Sequence, residues 1–180
     1  MNMIRGWFGK FLPLSPFASL LSASVIAMTL AGCGFHLRGQ ANLPFETMYI
    51  NGPASFTTPL SRSVRAGSST RLVTNPKEAE VTLQITGESR ERSILSLSSA
   101  GRVQELQLRY RVSFKLADKT GKEIIPTNEI LLKRDLLYND SDVLGKEQEE
   151  ALLYRDMQTD AVQQVVRRLQ VARLDVPDTR

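Results

Sequence analysis

One cysteine and one histidine, Cys33 and His36, limit the chemistry open to this 180-residue chain. A single histidine excludes a histidine-based metal cluster, and no second cysteine exists to build a thiolate set. Ser98, Ser99 and Glu105 are the only tempting nucleophile-and-base group, and no histidine lies near them in the sequence to complete a Ser-His-Asp relay. Neither common glycine-rich phosphate loop is present. The inventory points away from catalysis, and neither a metal nor a cofactor is expected.

The remaining chemical handle is the thiol of Cys33. Arg5 and Lys10 are the only charges before it, Phe17 to Leu30 is uncharged and mostly apolar, and Ala31-Gly32 supplies the small residues a signal peptidase needs. That apolar run is too short to read first as a spanning helix, and no stop-transfer pattern follows it. Leu30-Ala31-Gly32-Cys33 resembles the bacterial lipobox, in which the thiol takes a diacylglycerol, the peptide is cut before the cysteine, and the new amine is acylated. On that resemblance residues 1–32 are a lipoprotein signal peptide and Cys33 is the lipid-attachment residue. One acyl chain binds a membrane only marginally and each buried CH2 adds roughly 0.8 kcal/mol, so about three chains make a lasting anchor. His36, beside that anchor, reads as a solvated tether residue rather than a titrating or catalytic group.

The mature chain is long enough for one domain with one core. Losing Arg5 and Lys10 halves the formal charge of +4, so the basic pI is no argument for nucleic acid. No later apolar run approaches a membrane span. With Cys33 acylated there is no disulfide, and stability must come from packing.

The elements that position these residues follow from periodicity. Residues 33–45 read as a lipidated tether, 46–172 as the domain and 173–180 as a flexible tail, with Pro177 as the closing signal of the ordered chain. Phe45 to Asn51 reads as a strand stopped by Gly52-Pro53. Thr57-Thr58-Pro59 reads as a capped helix start with proline at the first position, and Gly67 as its end after about two turns. Thr70 to Thr74 is a short strand candidate. Val81 to Thr86 alternates with period two, Gly87 suggests a bulge, and Glu88 to Ser98 continues as a more polar strand. After the Ser98-to-Gly101 turn, Leu106, Leu108, Tyr110, Val112, Phe114 and Leu116 form one apolar face against Gln107, Arg109, Arg111, Ser113 and Lys115. Asp118-Lys119-Thr120-Gly121 is a hairpin turn. Ile130, Leu132, Leu136 and Tyr138 continue one face, with Arg134 as its exception.

From about Lys146 to Ala172 the period becomes helical. Leu153, Met157, Ala161 and Val165 form a stripe that Leu152, Val162, Val166 and Leu169 widen. Glu147, Glu149 and Glu150 are expected in the first turns and Arg167, Arg168 and Arg173 in the last, matching the helix dipole. The expected fold is α+β, a two-layer sandwich with a mostly antiparallel four-stranded sheet covered by one short and one long helix.

A family resemblance runs from Cys33 to about Leu169. It rests on Cys33-Gly34-Phe35-His36-Leu37-Arg38 at the anchor, Pro59-Leu60-Ser61-Arg62-Ser63-Val64-Arg65 on the first helix, the Ser99-Ala100-Gly101 hairpin, and Val165-Val166-Arg167-Arg168-Leu169 on the last helix. Together these resemble the LPS-assembly lipoprotein family, LptE (RlpB). The resemblance implies an outer-membrane lipoprotein, not an enzyme, that partners the β-barrel LptD as a plug. It also implies assistance in barrel assembly and lipopolysaccharide binding during delivery to the outer leaflet. Gly34, where an aspartate would signal inner-membrane retention, implies outer-membrane sorting. Two basic positions implicated in lipid binding carry over unequally. The one before the last helix matches Lys146. The one in the hairpin turn falls on uncharged Ser99, leaving Arg102, or Arg90 and Arg92 on the preceding strand, as substitutes.

Two other classes fit the composition: a lipid-anchored scaffold of another outer-membrane assembly machine, and a lipid-anchored hydrolase using Ser98, Ser99 and Glu105. Arg109, Arg111 and Lys115 read either as contacts for anionic lipid or barrel carboxylates, or as a solvated sheet face. Ile94, Leu95 and Leu97 are odd for a free turn and suggest either packing or insertion against a partner.

Overall fold

The computed structural model describes residues 43–172; Cys33, His36, Arg173 and Pro177 lie outside the described residues. The chain runs β1 (Thr47–Asn51), α1 (Ala54–Gly67), β2 (Arg71–Leu72), a 3-10 turn (Pro76–Glu78), β3 (Val81–Leu97), β4 (Val103–Asp118), β5 (Glu123–Leu137), a second 3-10 turn (Asp140–Asp142) and α2 (Val143–Gln170).

The sheet has five strands in the order β2-β1-β3-β4-β5, not four. It is also mixed. β3, β4 and β5 form the expected antiparallel meander, but β1 runs parallel to both β2 and β3. The reason lies in the connection: β1 returns to the sheet through a helix, and a helical crossover delivers the next strand in the same direction. The short candidate at Thr70 to Thr74 is the fifth strand. It is tied by the Arg71 and Val73 amides donating to the Glu46 and Met48 carbonyls at 2.8 and 3.0 Å. The core also begins before the expected domain boundary, since Leu43 and Phe45 are buried.

Both helices lie on the face of β4 that carries Leu106 to Leu116, all buried, and the other face stays open. α1 is longer than expected and starts earlier. The Pro53 carbonyl accepts from the Phe56 and Thr57 amides at 3.1 and 2.9 Å, so Phe56 enters the core from the first turn and Thr57 is no cap. Pro59 therefore sits inside the helix. An interior proline lacks the N–H that would reach the carbonyl four residues back, here Ser55. Gln158 of α2 donates its Nε2 to that Ser55 oxygen at 2.9 Å, so the proline is accommodated by the neighbouring helix.

α2 also starts earlier than expected, with the Asp142 side chain capping the Gly145 amide at 3.2 Å. The three glutamates consequently fall beyond the first turn, whereas Arg167 and Arg168 do sit in the last. Met157, Ala161, Val162, Val165 and Leu169 are buried as the stripe requires, but Leu152 is exposed and Tyr154 is buried instead. Arg134, the exception on β5, faces α2 and pairs with Asp160 at 2.9 Å.

The bulge at Gly87 has the largest consequence. Ile85 pairs with Phe114 and Gly87 with Ser113, leaving Thr86 as the extra residue. Side chains alternate strictly along a strand, so one inserted residue exchanges the faces beyond it. Before the bulge Val81, Leu83 and Ile85 face the helices. Beyond it Glu88, Arg90 and Arg92 do, opposite Val112, Tyr110 and Leu108. Nearby, Gly52 has φ 144°, and a Cβ there would lie 2.6 Å from Ile85 Cβ, so only glycine lets the chain leave β1.

Candidate functional site

Three surfaces carry the candidate functional residues among those described: the β3–β4 hairpin tip, the open sheet face, and a cleft beside α2. At the tip, Gly101 adopts φ 73°, its amide donates to the Ser98 carbonyl at 2.9 Å, and Ser98 donates to the Arg102 carbonyl at 2.7 Å. The β4–β5 turn repeats this at Asp118 and Gly121, where φ is 87°. Asp118 Oδ1 there accepts from the Thr120 hydroxyl and from the Thr120 and Lys122 amides, bonds that lower its pKa. At the tip the Ser98 hydroxyl accepts from the Arg102 amide at 3.1 Å, and Glu105 accepts from Ser96 at 2.8 Å. Of the Ser98, Ser99 and Glu105 group, Ser98 and Glu105 are thus occupied in shaping the hairpin.

Past Glu105, which pairs with Leu137, β5 no longer accompanies this hairpin. Ile94, Leu95 and Leu97 are exposed on it, Ile94 at 59%. Arg102 is exposed, and among the described residues its side chain has no ion-pair partner. Lys146, in the first turn of α2, donates to Glu149 at 2.8 Å, and no hydrogen bond or ion pair joins it to Arg102.

The open face carries Arg109, Arg111 and Lys115. Arg111 pairs with Glu129 at 3.1 Å and Lys115 with Glu123 at 3.3 Å, each across to β5. Arg109 donates to Gln107 at 3.0 Å, and Gln107 in turn donates to Asp135 at 3.3 Å. These partly exposed pairs are worth little individually, typically below about 1 kcal/mol. Their collective effect is a polar face whose charges largely cancel, with Leu131 and Leu137 as its exposed apolar residues.

The cleft is the arrangement that sequence reasoning missed. Its lining is Arg90, Arg92, Glu147, Glu150, Ala151 and Tyr154, around an open cleft of about 520 Å³ between β3 and α2 in which Arg90, Arg92 and Glu147 are exposed. The Arg90 guanidinium lies 5.8 Å from the Tyr110 ring centre and 5.6 Å from that of Tyr154, within cation–π range of both. Arg92 pairs with Glu150 at 3.4 Å. Tyr154 donates to the Glu91 carbonyl at 2.7 Å, and Tyr110 donates to Glu88 at 2.6 Å. Burial, above all, raises both phenol pKa values. The signal for Tyr154 was available: it precedes Met157 by three residues on the buried stripe. The signal for Arg90 and Arg92 was weaker, because their face depends on where the bulge falls.

A sequence model of the LptE family, described as lipopolysaccharide-assembly, matches residues 45–169, which spans both helices and every strand. The chain belongs to the LptE family. It is accordingly a non-enzymatic protein of lipopolysaccharide assembly. Among its relatives is the LPS-assembly lipoprotein LptE of Yersinia enterocolitica, 30% identical over 84% of this chain and 75% of that protein. The LPS-assembly lipoprotein LptE of Pectobacterium atrosepticum is 26% identical over 83% of each. The solution structure of lipoprotein B from Nitrosomonas europaea superposes with a TM-score of 0.68 at 42% identity, covering 76% of this chain and 90% of that one. Rare lipoprotein B from Shewanella oneidensis, with a TM-score of 0.60 at 24% identity, shares the fold. The LptE match extends across the meander and α2 and leaves the Ser98–Glu105 hydrolase reading without support.

Proposed function

We propose that this LptE-family protein is an outer-membrane lipoprotein, anchored through Cys33, that occupies the lumen of an LptD-type β-barrel as a plug. There it assists barrel assembly and the delivery of lipopolysaccharide to the outer leaflet. The observation that carries the reading is the open face of the sheet. A sheet covered by helices on one side only must offer its other side to something. Here that side is polar, with charges matched across strands at Arg111–Glu129 and Lys115–Glu123. Such a face suits the polar interior of a large barrel and would be costly against acyl chains. No helix among the described residues is long and apolar enough to cross a membrane, which agrees with attachment by a lipid. The relatives named LPS-assembly lipoprotein LptE support the cargo, and the exposed Ile94, Leu95 and Leu97 supply an apolar point of contact with the partner. Lys146 and Arg102 are the candidates for the phosphates of the lipid, by charge-assisted hydrogen bonds.

The decisive experiment is extraction of the full chain in mild detergent through a C-terminal tag, paired with depletion in cells. Recovery of one very large β-barrel, together with a loss of assembled barrel and leakage of bulky apolar drugs on depletion, is the expected result. Recovery of several assembly-factor subunits instead, or unchanged barrel and an intact barrier, would reject the plug.

A further inference from the structure

The cleft between β3 and α2 contains charges that do not cancel in pairs. Arg92 is occupied by Glu150. Arg90 and Glu147 are left over: among the described residues neither side chain makes a hydrogen bond or an ion pair, although both line the same cavity. The Tyr154 hydroxyl is committed to the Glu91 carbonyl, so this residue contributes its ring and not its oxygen. Arg90 lies over the rings of Tyr110 and Tyr154, which restricts the guanidinium while leaving its edge donors unused.

A simple anion fits poorly here, because it would meet Glu147 and Glu150 as well as Arg90. A simple cation meets the opposite difficulty. A ligand bearing both charges satisfies both orphans at once. Two neighbouring guanidiniums also favour a phosphate, whose several oxygens can accept from more than one arginine. We propose that this cleft binds a zwitterionic phosphate ester of the phosphoethanolamine type, its phosphate on Arg90 with Arg92 beside it and its ammonium on Glu147. That chemistry comes either from a phospholipid headgroup or from a soluble ester, and the site does not depend on the plug reading.

The test follows the Arg90 Nε–Hε resonance of the 15N-labelled full chain in maltoside detergent. Titrants are O-phosphoethanolamine, inorganic phosphate, ethanolamine, and dihexanoyl phosphatidylethanolamine against dihexanoyl phosphatidylglycerol. The expected result is saturable binding of O-phosphoethanolamine at least about tenfold tighter than phosphate or ethanolamine alone, a gap of roughly 1.4 kcal/mol. A like preference for the ethanolamine lipid over the glycerol lipid assigns the source to a headgroup; binding of the soluble ester alone assigns it to that ester. Arg90→Gln, followed through the Arg92 Nε–Hε resonance, should abolish binding, but it also removes the contact with two rings. Glu147→Gln, on an exposed helical position, tests the site without that cost: it should lower affinity for the zwitterion about tenfold and raise affinity for phosphate. The exposed turn variant Lys119→Gln should change neither. Equal affinity for inorganic phosphate and the zwitterion, no saturable shift with any titrant, or an unaltered profile in Glu147→Gln would each overturn the proposal.

Discussion

Tyr110 joins the hydrophobic core to the polar half of β3. Its ring is buried, while its hydroxyl donates to Glu88 at 2.6 Å and Ser55 donates to the other oxygen of the same carboxylate. Burial first, then the hydrogen bond to Glu88 and its charge, hold the phenol well above the ordinary 10.0. The native state therefore keeps a proton that the unfolded chain releases near that ordinary value. This contribution is complete below about pH 10 and fades as pH climbs from there toward the folded pKa. Tyr154, also raised, acts in the same direction. Tyr110→Phe should cost about 1 kcal/mol at neutral pH through the lost bond, and should then lose less stability than wild type above about pH 10. Thermal unfolding of both proteins at neutral pH and at about pH 10.5 measures this; a constant difference between them would show that Tyr110 does not titrate with folding.

At the scale of elements, α1 and α2 are joined by a repair. Pro59 withholds an N–H from the Ser55 carbonyl, and Gln158 supplies a donor from the adjacent helix at 2.9 Å. Gln158→Ala should thus cost about 0.5–1 kcal/mol in the natural chain. In a Pro59→Ala background, where the backbone can make its own bond, the same change should cost clearly less, the remainder being the contact of Gln158 with Tyr110. A double-mutant cycle by urea unfolding reads the coupling directly. Equal costs of Gln158→Ala in the two backgrounds would mean that the glutamine does not compensate for the proline. The bulge at Gly87 acts at this scale too, because it turns Glu88, Arg90 and Arg92 to the helix side of the sheet, where the two arginines line the cleft.

The domain formed by the described residues has a helix-covered and an open side, and its β3–β4 hairpin runs on past the last β5 pair at Glu105. Within the proposed plug, the sheet face meets the barrel wall while Lys146 and Arg102 engage lipid phosphates from the hairpin end and the start of α2. Replacing both with glutamate should weaken lipopolysaccharide binding, leave barrel recovery nearly intact, and make the remaining affinity less salt-dependent. A shielded contact of this kind contributes about 1.5–3 kcal/mol and an exposed one much less. Because Lys146 already pairs with Glu149, Arg102 should account for the larger share. Titration of lipopolysaccharide into wild type and the double variant at two salt concentrations checks this. Identical affinities would leave both residues as ordinary surface charges.

Much of the fold is legible in the chain because its signals are local. Strict alternation from Leu106 to Leu116 specifies a half-buried strand, the Ser98–Gly101 and Asp118–Gly121 segments specify their turns, and the Met157 stripe specifies a long one-faced helix. The family strings at Ser99–Gly101 and Val165–Leu169 lie on the same elements, so there the resemblance and the periodicity point to one architecture. What needed tertiary structure depends on partners distant in sequence. Whether Pro59 begins α1 or lies within it turns on Gln158, and whether β1 runs parallel to β3 turns on a crossover that no local pattern records. The face taken by Arg90 and Arg92 depends on a single unpaired residue at Thr86. Local period specifies which residues share a face, but only the assembled sheet decides what that face meets, because pairing register and helix placement are settled by contacts between segments and not within them.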